Sequence, residues 1–208
     1  MDQKTLWEKL AQKNSRYYIN SDYGKNITKD EFRQSGAQDY LAHIKSDEVL
    51  TKRINFGKAT IIDLGCGTGR MTEFMVTDFG RVIGLDISRE MVKQARKRVI
   101  GAEFIETDGQ TIPLPDESVD LVFSYLVFQH IKTKEMVEKN FEEVYRVLKP
   151  KGIFKVRIRS DKLESLEPWW AGVSYTEQSI GKLCQRLKFK ILRTEPVGDY
   201  GFWVWLKK

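Results

Sequence analysis

Asp63-Leu64-Gly65-Cys66-Gly67-Thr68-Gly69-Arg70 (DLGCGTGR) is the stretch whose reading decides the fold. It continues a β-rich run, Ala59–Leu64, and leads into a helical pattern marked by Met71, Phe74 and Met75. Glycines at a strand-to-helix junction let the backbone turn tightly and approach a ligand, while the free N–H groups of the helix start point at it. A second β-rich run ends in Asp86, 21 residues after Gly65, where a carboxylate can accept hydrogen bonds from both hydroxyls of a ribose. A third ends at Asp108, 22 residues further, with Gly109 and Gln110 behind it. Three successive strand ends thus present a glycine loop, an acid and a second acid at the edge where open α/β sheets bind ligands.

Outward from this loop the chain alternates strands and helices, the pattern of a parallel sheet with covering helices. The strands expected are Ala59–Leu64, Arg81–Asp86, Ala102–Thr107, Val119–Tyr125, Gly152–Arg159, Phe189–Glu195 and Phe202–Lys207. Apolar residues near the 3.6-residue period mark helices at Met91-Val92-Ala95-Val99, Val137-Phe141-Val144-Leu148 and Ile180-Leu183-Cys184-Leu187. Ser88, Thr133 and Thr176 stand where N-caps are needed, and Lys149-Pro150-Lys151-Gly152 is expected to stop a helix and turn the chain. Only Pro196 to Gly201 joins the last two strands, too few residues for a crossover, so they pair antiparallel. Residues 1–58 precede the alternation. Thr28 and Glu31 form a capping box, and Leu6, Trp7 and Leu10 mark an earlier short helix. The expectation is a helical cap over 1–58 and a sheet domain over 59–208.

The 208 residues carry a net charge of +6, unevenly placed. Residues 1–150 hold 23 basic and 23 acidic side chains, residues 151–208 hold 12 and 6. A solvated helix face (Lys182, Arg186, Lys188) accounts for such an excess more simply than a nucleic-acid surface does. Cys66 and Cys184, with two histidines, offer no disulfide framework and no metal spacing. Apolar runs are too short for a membrane span, and the first residues lack the features of a secretory signal, so the expected location is cytoplasmic.

The spacing G-x-G-x-G, with Arg70 where a pyrophosphate-binding fingerprint has its third glycine, disfavours a nicotinamide-dependent oxidoreductase, as does the second acid, Asp108. Four segments, Asp63–Gly69 (DLGCGTG), Val82–Ser88 (VIGLDIS) with Met91, Thr107–Val122 (TDGQTIPLPDESVDLV) and Val147–Gly152 (VLKPKG), together resemble the class I S-adenosylmethionine-dependent methyltransferases, particularly the type 11 group. The resemblance implies an α/β, Rossmann-like seven-stranded sheet of order 3-2-1-4-5-7-6 with the last strand antiparallel and helices on both faces. It implies S-adenosylmethionine as cofactor. By position, Asp63, Gly65, Cys66, Gly67, Gly69 and Arg70 form its loop, where Arg70 either pairs with the cofactor's carboxylate or stands solvated at the helix start, and Asp86 holds its ribose with Ile87 and Met91 near the adenine. Asp108, Gly109 and Gln110 line the adenine edge, while Ser124 and Tyr125 flank the donor's amino group and methyl.

An activated methyl donor asks the protein chiefly to position an acceptor and exclude water. An acceptor that must lose a proton also needs a base, for which His130, six residues past Ser124, is the candidate. The fourth strand ends Ser124-Tyr125-Leu126-Val127, without the Asn/Asp-Pro-Pro-Tyr pattern of enzymes that methylate exocyclic base amines. Its absence leaves other RNA acceptors open; a small-molecule acceptor is favoured over RNA or protein because only the cap over 1–58 is there to build a macromolecular platform. The alternatives are a non-catalytic module that binds S-adenosylmethionine, or an RNA methyltransferase. In the fifth strand Lys155, Arg157 and Arg159 alternate with Phe154, Val156 and Ile158, an anomaly for a central parallel strand. Arg157 and Arg159, nearest the ligand edge, are candidate contacts to an anionic acceptor. Trp169 and Trp170, in the connection that follows, are candidates to line its pocket.

Overall fold

A computed structural model describes residues 2–160, 172–198 and 201–208. Its seven strands are β1 (Thr60–Leu64), β2 (Arg81–Asp86), β3 (Glu103–Glu106), β4 (Val119–Ser124), β5 (Leu148–Arg159), β6 (Lys190–Val197) and β7 (Gly201–Lys207). They form one sheet of order β3-β2-β1-β4-β5-β7-β6. β1 with β2, β2 with β3 and β4 with β5 are parallel, whereas β7 runs antiparallel to both β5 and β6. The short connection between the last two strands dictates that pairing, and the strands run further into it than expected, β6 to Val197 and β7 from Gly201. By backbone proximity the chain divides into two compact units, Met1–Asp108 and Gly109–Lys208.

In the first unit, β1 reads Thr-Ile-Ile-Asp-Leu and buries Ile61, Ile62 and Leu64, as a strand enclosed on both faces must. Helix α1 (Gln3–Ile19) is longer than the sequence suggested and breaks at Asn14, whose φ of −165° leaves the helical region. The Asn14 side chain donates instead to the Lys25 carbonyl, 2.9 Å away. Helix α2 (Lys29–Tyr40) starts on the expected Thr28–Glu31 capping box. It runs into a π-helical turn, Leu41–Lys45, before the short α3 (Glu48–Thr51). After the glycine loop, α4 (Thr72–Met75) is a single turn. Helix α5 (Arg89–Arg98), capped by Ser88, lays Val92, Ala95 and Val99 against Phe104 and Cys66.

In the second unit, α6 (Lys134–Val147) and α7 (Glu177–Arg186) begin on the caps Thr133 and Thr176. Phe141 of α6 meets Phe154 of β5 edge-on at 5.2 Å between centroids, and Phe128 at 5.5 Å. Phe189 closes the cluster at 6.3 Å from both Phe141 and Phe154. One face of β5 is thus apolar and covered by helices. Lys149-Pro150-Lys151-Gly152 does not form a separate turn: α6 stops at Val147 and β5 starts at Leu148. The left-handed residue there is Lys151, at φ 73°, and not Gly152. Glycine is needed at 152 for space, since a Cβ would lie 2.9 Å from the Lys149 carbonyl oxygen. Among the described residues no helix is long and apolar enough to cross a membrane, and no cluster could hold a metal ion. Arg186, one of the surplus cations, pairs with Glu138 at 2.7 Å on the surface.

Phe141 has no exposed surface and sits at the centre of its aromatic cluster. Phe141→Ala is expected to cost about 3–5 kcal/mol by loss of buried area plus the cavity left behind, read from urea unfolding.

Candidate functional site

The first unit carries the glycine loop. Gly65, Gly67 and Gly69 have φ of 79°, 55° and 79°, a region that side-chain-bearing residues rarely enter. The Gly65 and Cys66 N–H groups both donate to the Leu85 carbonyl, at 2.7 and 3.0 Å, which fastens the loop to the end of β2. A Cβ on Gly67 would lie 2.9 Å from Cδ1 of Ile19, so the end of α1 passes directly over the loop.

Asp86 is half-buried at the end of β2. Its Oδ2 accepts from the Gly67 N–H and its Oδ1 from the Ser88 N–H, each at 2.9 Å. Burial pushes its pKa up from 3.8 to about 6, against the pull of those hydrogen bonds. Asp63 beneath the loop is also raised to about 6 by burial; its carboxylate accepts from Thr72 Oγ1 at 2.6 Å. Cys66 is buried and its thiol is pushed well up by the same desolvation, so it fills space next to Phe104 and is not a nucleophile. Thr68 Oγ1 is buried with no hydrogen-bond partner. A buried hydroxyl left unpaired costs free energy, and its position inside the loop marks where a polar ligand atom fits.

Arg70 departs from expectation. Its side chain is buried and its Nη1 donates to Asp39 Oδ2 at 2.6 Å and to Ser35 Oγ at 3.1 Å. Asn20 joins the same network through Ser35. The guanidinium therefore serves to hold α2 against the loop, and a carboxylate of the chain takes the place foreseen for one on the cofactor. Sequence reading missed Asp39 because a lone acid on a helix carries no signal of its distant partner.

It also missed Glu8. Its carboxylate accepts from Ser88 Oγ at 2.6 Å and from the Glu90 N–H at 3.1 Å, capping α5 from a remote segment. Those bonds hold its pKa below the usual range. Ser15 reaches Gln94 at 2.8 Å and Lys4 reaches Glu106 at 2.5 Å. Helix α1 thus lies along α5 beside Asp86. Met91 is buried, its N–H bound to the Ser88 cap, and Ile87 is half-buried.

The second unit carries the end of β4. Gly109 has φ 79° and its carbonyl accepts from Asn140 at 2.8 Å. Arg146 binds Glu143, Asp116 and the carbonyls of Ile112 and Leu114, which fixes the loop that follows Gln110. Ser124 is buried and Tyr125 half-buried. Leu126, next along, stands at φ 61°. A branched side chain in the left-handed region is strained, and such strain gathers at functional sites. No sequence pattern announces it. His130 is buried in a single 3-10 turn with its Nε2 3.2 Å from the Gln129 amide nitrogen. Arg159 donates to the Gly172 carbonyl at 2.8 Å, and its own carbonyl accepts from the Tyr175 N–H. It anchors the returning chain. Trp169 and Trp170 lie outside the described residues.

Residues 62–156 match the family described as Methyltransferase domain. The chain belongs to the class I S-adenosylmethionine-dependent methyltransferases, in the type 11 group. A trans-aconitate 2-methyltransferase of Rhizobium rhizogenes is 34% identical over 143 residues, covering 68% of this chain and 51% of the relative. A malonyl-[acyl-carrier protein] O-methyltransferase of Pectobacterium atrosepticum is 24% identical over 192 residues, covering 86% and 75%. The magnesium protoporphyrin IX methyltransferase of Synechocystis PCC 6803, solved with bound SAH, superposes with a TM-score of 0.72 at 18% identity and covers 99% of both chains. That likeness shows the fold. As a type 11 methyltransferase the chain uses S-adenosylmethionine, and the unpaired Thr68 hydroxyl, the glycine cradle and the carboxylate of Asp86 suit an adenosyl ligand.

The raised pKa of Asp86 has a measurable consequence. The folded chain holds this proton up to about pH 6 whereas the unfolded chain releases it near 3.8, so the stability tied to the protonated carboxyl falls as pH rises between those values. In Asp86→Asn that loss is absent. Urea unfolding from pH 4 to 7 is expected to show the variant gaining on the wild type up to about pH 6 and the difference flat above it.

Proposed function

We propose that this methyltransferase transfers the methyl group of S-adenosylmethionine to a small-molecule acceptor. The observation that carries the reading is the junction of the glycine loop with Asp86, where the Gly67 N–H and the carboxylate already meet at 2.9 Å. When bound, S-adenosylmethionine supplies an electrophilic methyl carbon on a sulfonium. Gly65, Gly67 and Gly69 let the backbone come close to the methionine portion, with Asp63 bracing the loop from beneath through Thr72. Asp86 accepts from the ribose hydroxyls. Ile87 and Met91 pack near the adenine, and Asp108, Gly109 and Gln110 meet its edge. Ser124 and Tyr125 flank the methyl. Each of these roles is carried over from the family by position.

The chain's remaining task is to hold an acceptor atom in line with the methyl and keep water out, which is where positioning supplies several kcal/mol of barrier reduction, about 7–11 at best. His130 stands as base for an acceptor whose nucleophile carries a proton; an acceptor already anionic at neutral pH needs none. The named activities of the two relatives, on malonyl-[acyl-carrier protein] and on trans-aconitate, support an acceptor other than nucleic acid.

Asp86→Ala removes the carboxylate proposed to take both ribose hydroxyls. Its dissociation constant for S-adenosylhomocysteine, by calorimetry, is expected to rise at least about tenfold. Unchanged affinity in a folded variant would take Asp86 out of the site. Incubating the wild-type chain with methyl-labelled cofactor and a cell extract is expected to label a low-molecular-weight product. Label confined to RNA or protein would refute the acceptor class.

A further inference from the structure

On the β5 face opposite Phe154, the strand register sets two rows of side chains. One row is Phe123, Lys155, Trp205 and Arg193, and on the next lie Arg157, Trp203 and Glu195, with Tyr125 following Ser124 at the end of β4. This resolves the anomalous cations of β5. Lys155 is buried with its ammonium 4.6 Å from the ring centroids of both Trp203 and Trp205. Arg193 lies 5.1 Å from Trp205 and pairs with Glu195. Arg159 is bound to the Gly172 carbonyl. These three cations are engaged within the protein.

Arg157 differs. Its guanidinium carbon sits 5.6 Å from the Tyr125 ring centroid, and Tyr125 in turn stacks on Trp203 at 5.3 Å with 17° between planes. Among the described residues no hydrogen bond or ion pair engages this guanidinium, although the residue is half-buried. The ring contact holds the cation in place but leaves its N–H donors unused. Guanidinium donors in a fixed fork match the two oxygens of a carboxylate. The Tyr125 ring beside them, itself half-buried and stacked on Trp203, gives the guanidinium a rigid neighbour. The strained Leu126 follows directly and fixes where the chain turns away from Tyr125.

We propose that Arg157 forms the acceptor subsite, taking a small molecule that bears a carboxylate. The carboxylate lies in the guanidinium fork. This deepens the methyltransferase reading and rests on it.

Benzoate serves as the probe and benzamide as its uncharged counterpart, each titrated into the full-length, nitrogen-15-labelled chain saturated with S-adenosylhomocysteine. Benzoate is expected to move the Arg157 side-chain N–H signal and the Trp203 indole signal along one saturable curve, and benzamide to move neither. In Arg157→Gln, folded by its unfolding midpoint, benzoate affinity is expected to fall at least about tenfold. A silent benzoate titration, an equal response to benzamide, or unchanged benzoate affinity in the variant would each overturn the proposal. A wild-type chain that takes up no S-adenosylhomocysteine would instead sink the methyltransferase reading beneath it.

Discussion

The hydrogen bond from the Gly67 N–H to the Asp86 carboxylate is the constraint on which the rest of the first unit turns. It joins the loop after β1 to the end of β2, and it holds an anion in surroundings that desolvate it. Around this bond the neighbouring elements are fitted closely. Ile19 comes over Gly67, Val99 lies where a Cβ on Gly69 would be, and the Arg70–Asp39 pair secures α2 to the loop's exit. A buried ion pair of this kind does little for net stability but is costly to break, so it fixes the arrangement more than it strengthens it.

The second unit solves a different problem. A central strand with three cations on one face needs partners for them. Tryptophan rings of β7 supply them to Lys155, and a backbone carbonyl supplies one to Arg159. Among the described residues, Arg157, nearest the turn after β4, receives only a ring. That difference is the basis on which Arg157 is proposed to meet the acceptor.

Most of the fold was legible because it is written in local chemistry. Strand ends at Leu64 and Asp86, the Thr28–Glu31 capping box, and the caps Ser88, Thr133 and Thr176 all follow from short-range rules, and each stands where the sequence places it. The antiparallel final pair followed from a loop too short for anything else. Less legible were features set by partners far along the chain. The extent of α1 was hidden because its polar sequence has little periodicity and its break depends on Asn14 finding the Lys25 carbonyl. Lys151 and Leu126 take left-handed conformations against their own preference, which only the surrounding strands can impose. The positive-φ glycines of the loop and the acid that ends β2 stand where the sequence places them, whereas β3 stops at Glu106, short of Asp108. Arg70 was read as meeting a ligand or solvent because its partner, Asp39, lies 31 residues earlier on a helix.

A crystal structure of the chain soaked or grown with S-adenosylhomocysteine addresses the central claim without intermediaries. The account requires the amino-acid portion of that ligand against Gly65–Gly69 and both of its ribose hydroxyls on the Asp86 carboxylate. Density for the ligand elsewhere, or an intact fold that leaves the Gly67–Asp86 junction bare at saturating ligand, would contradict it.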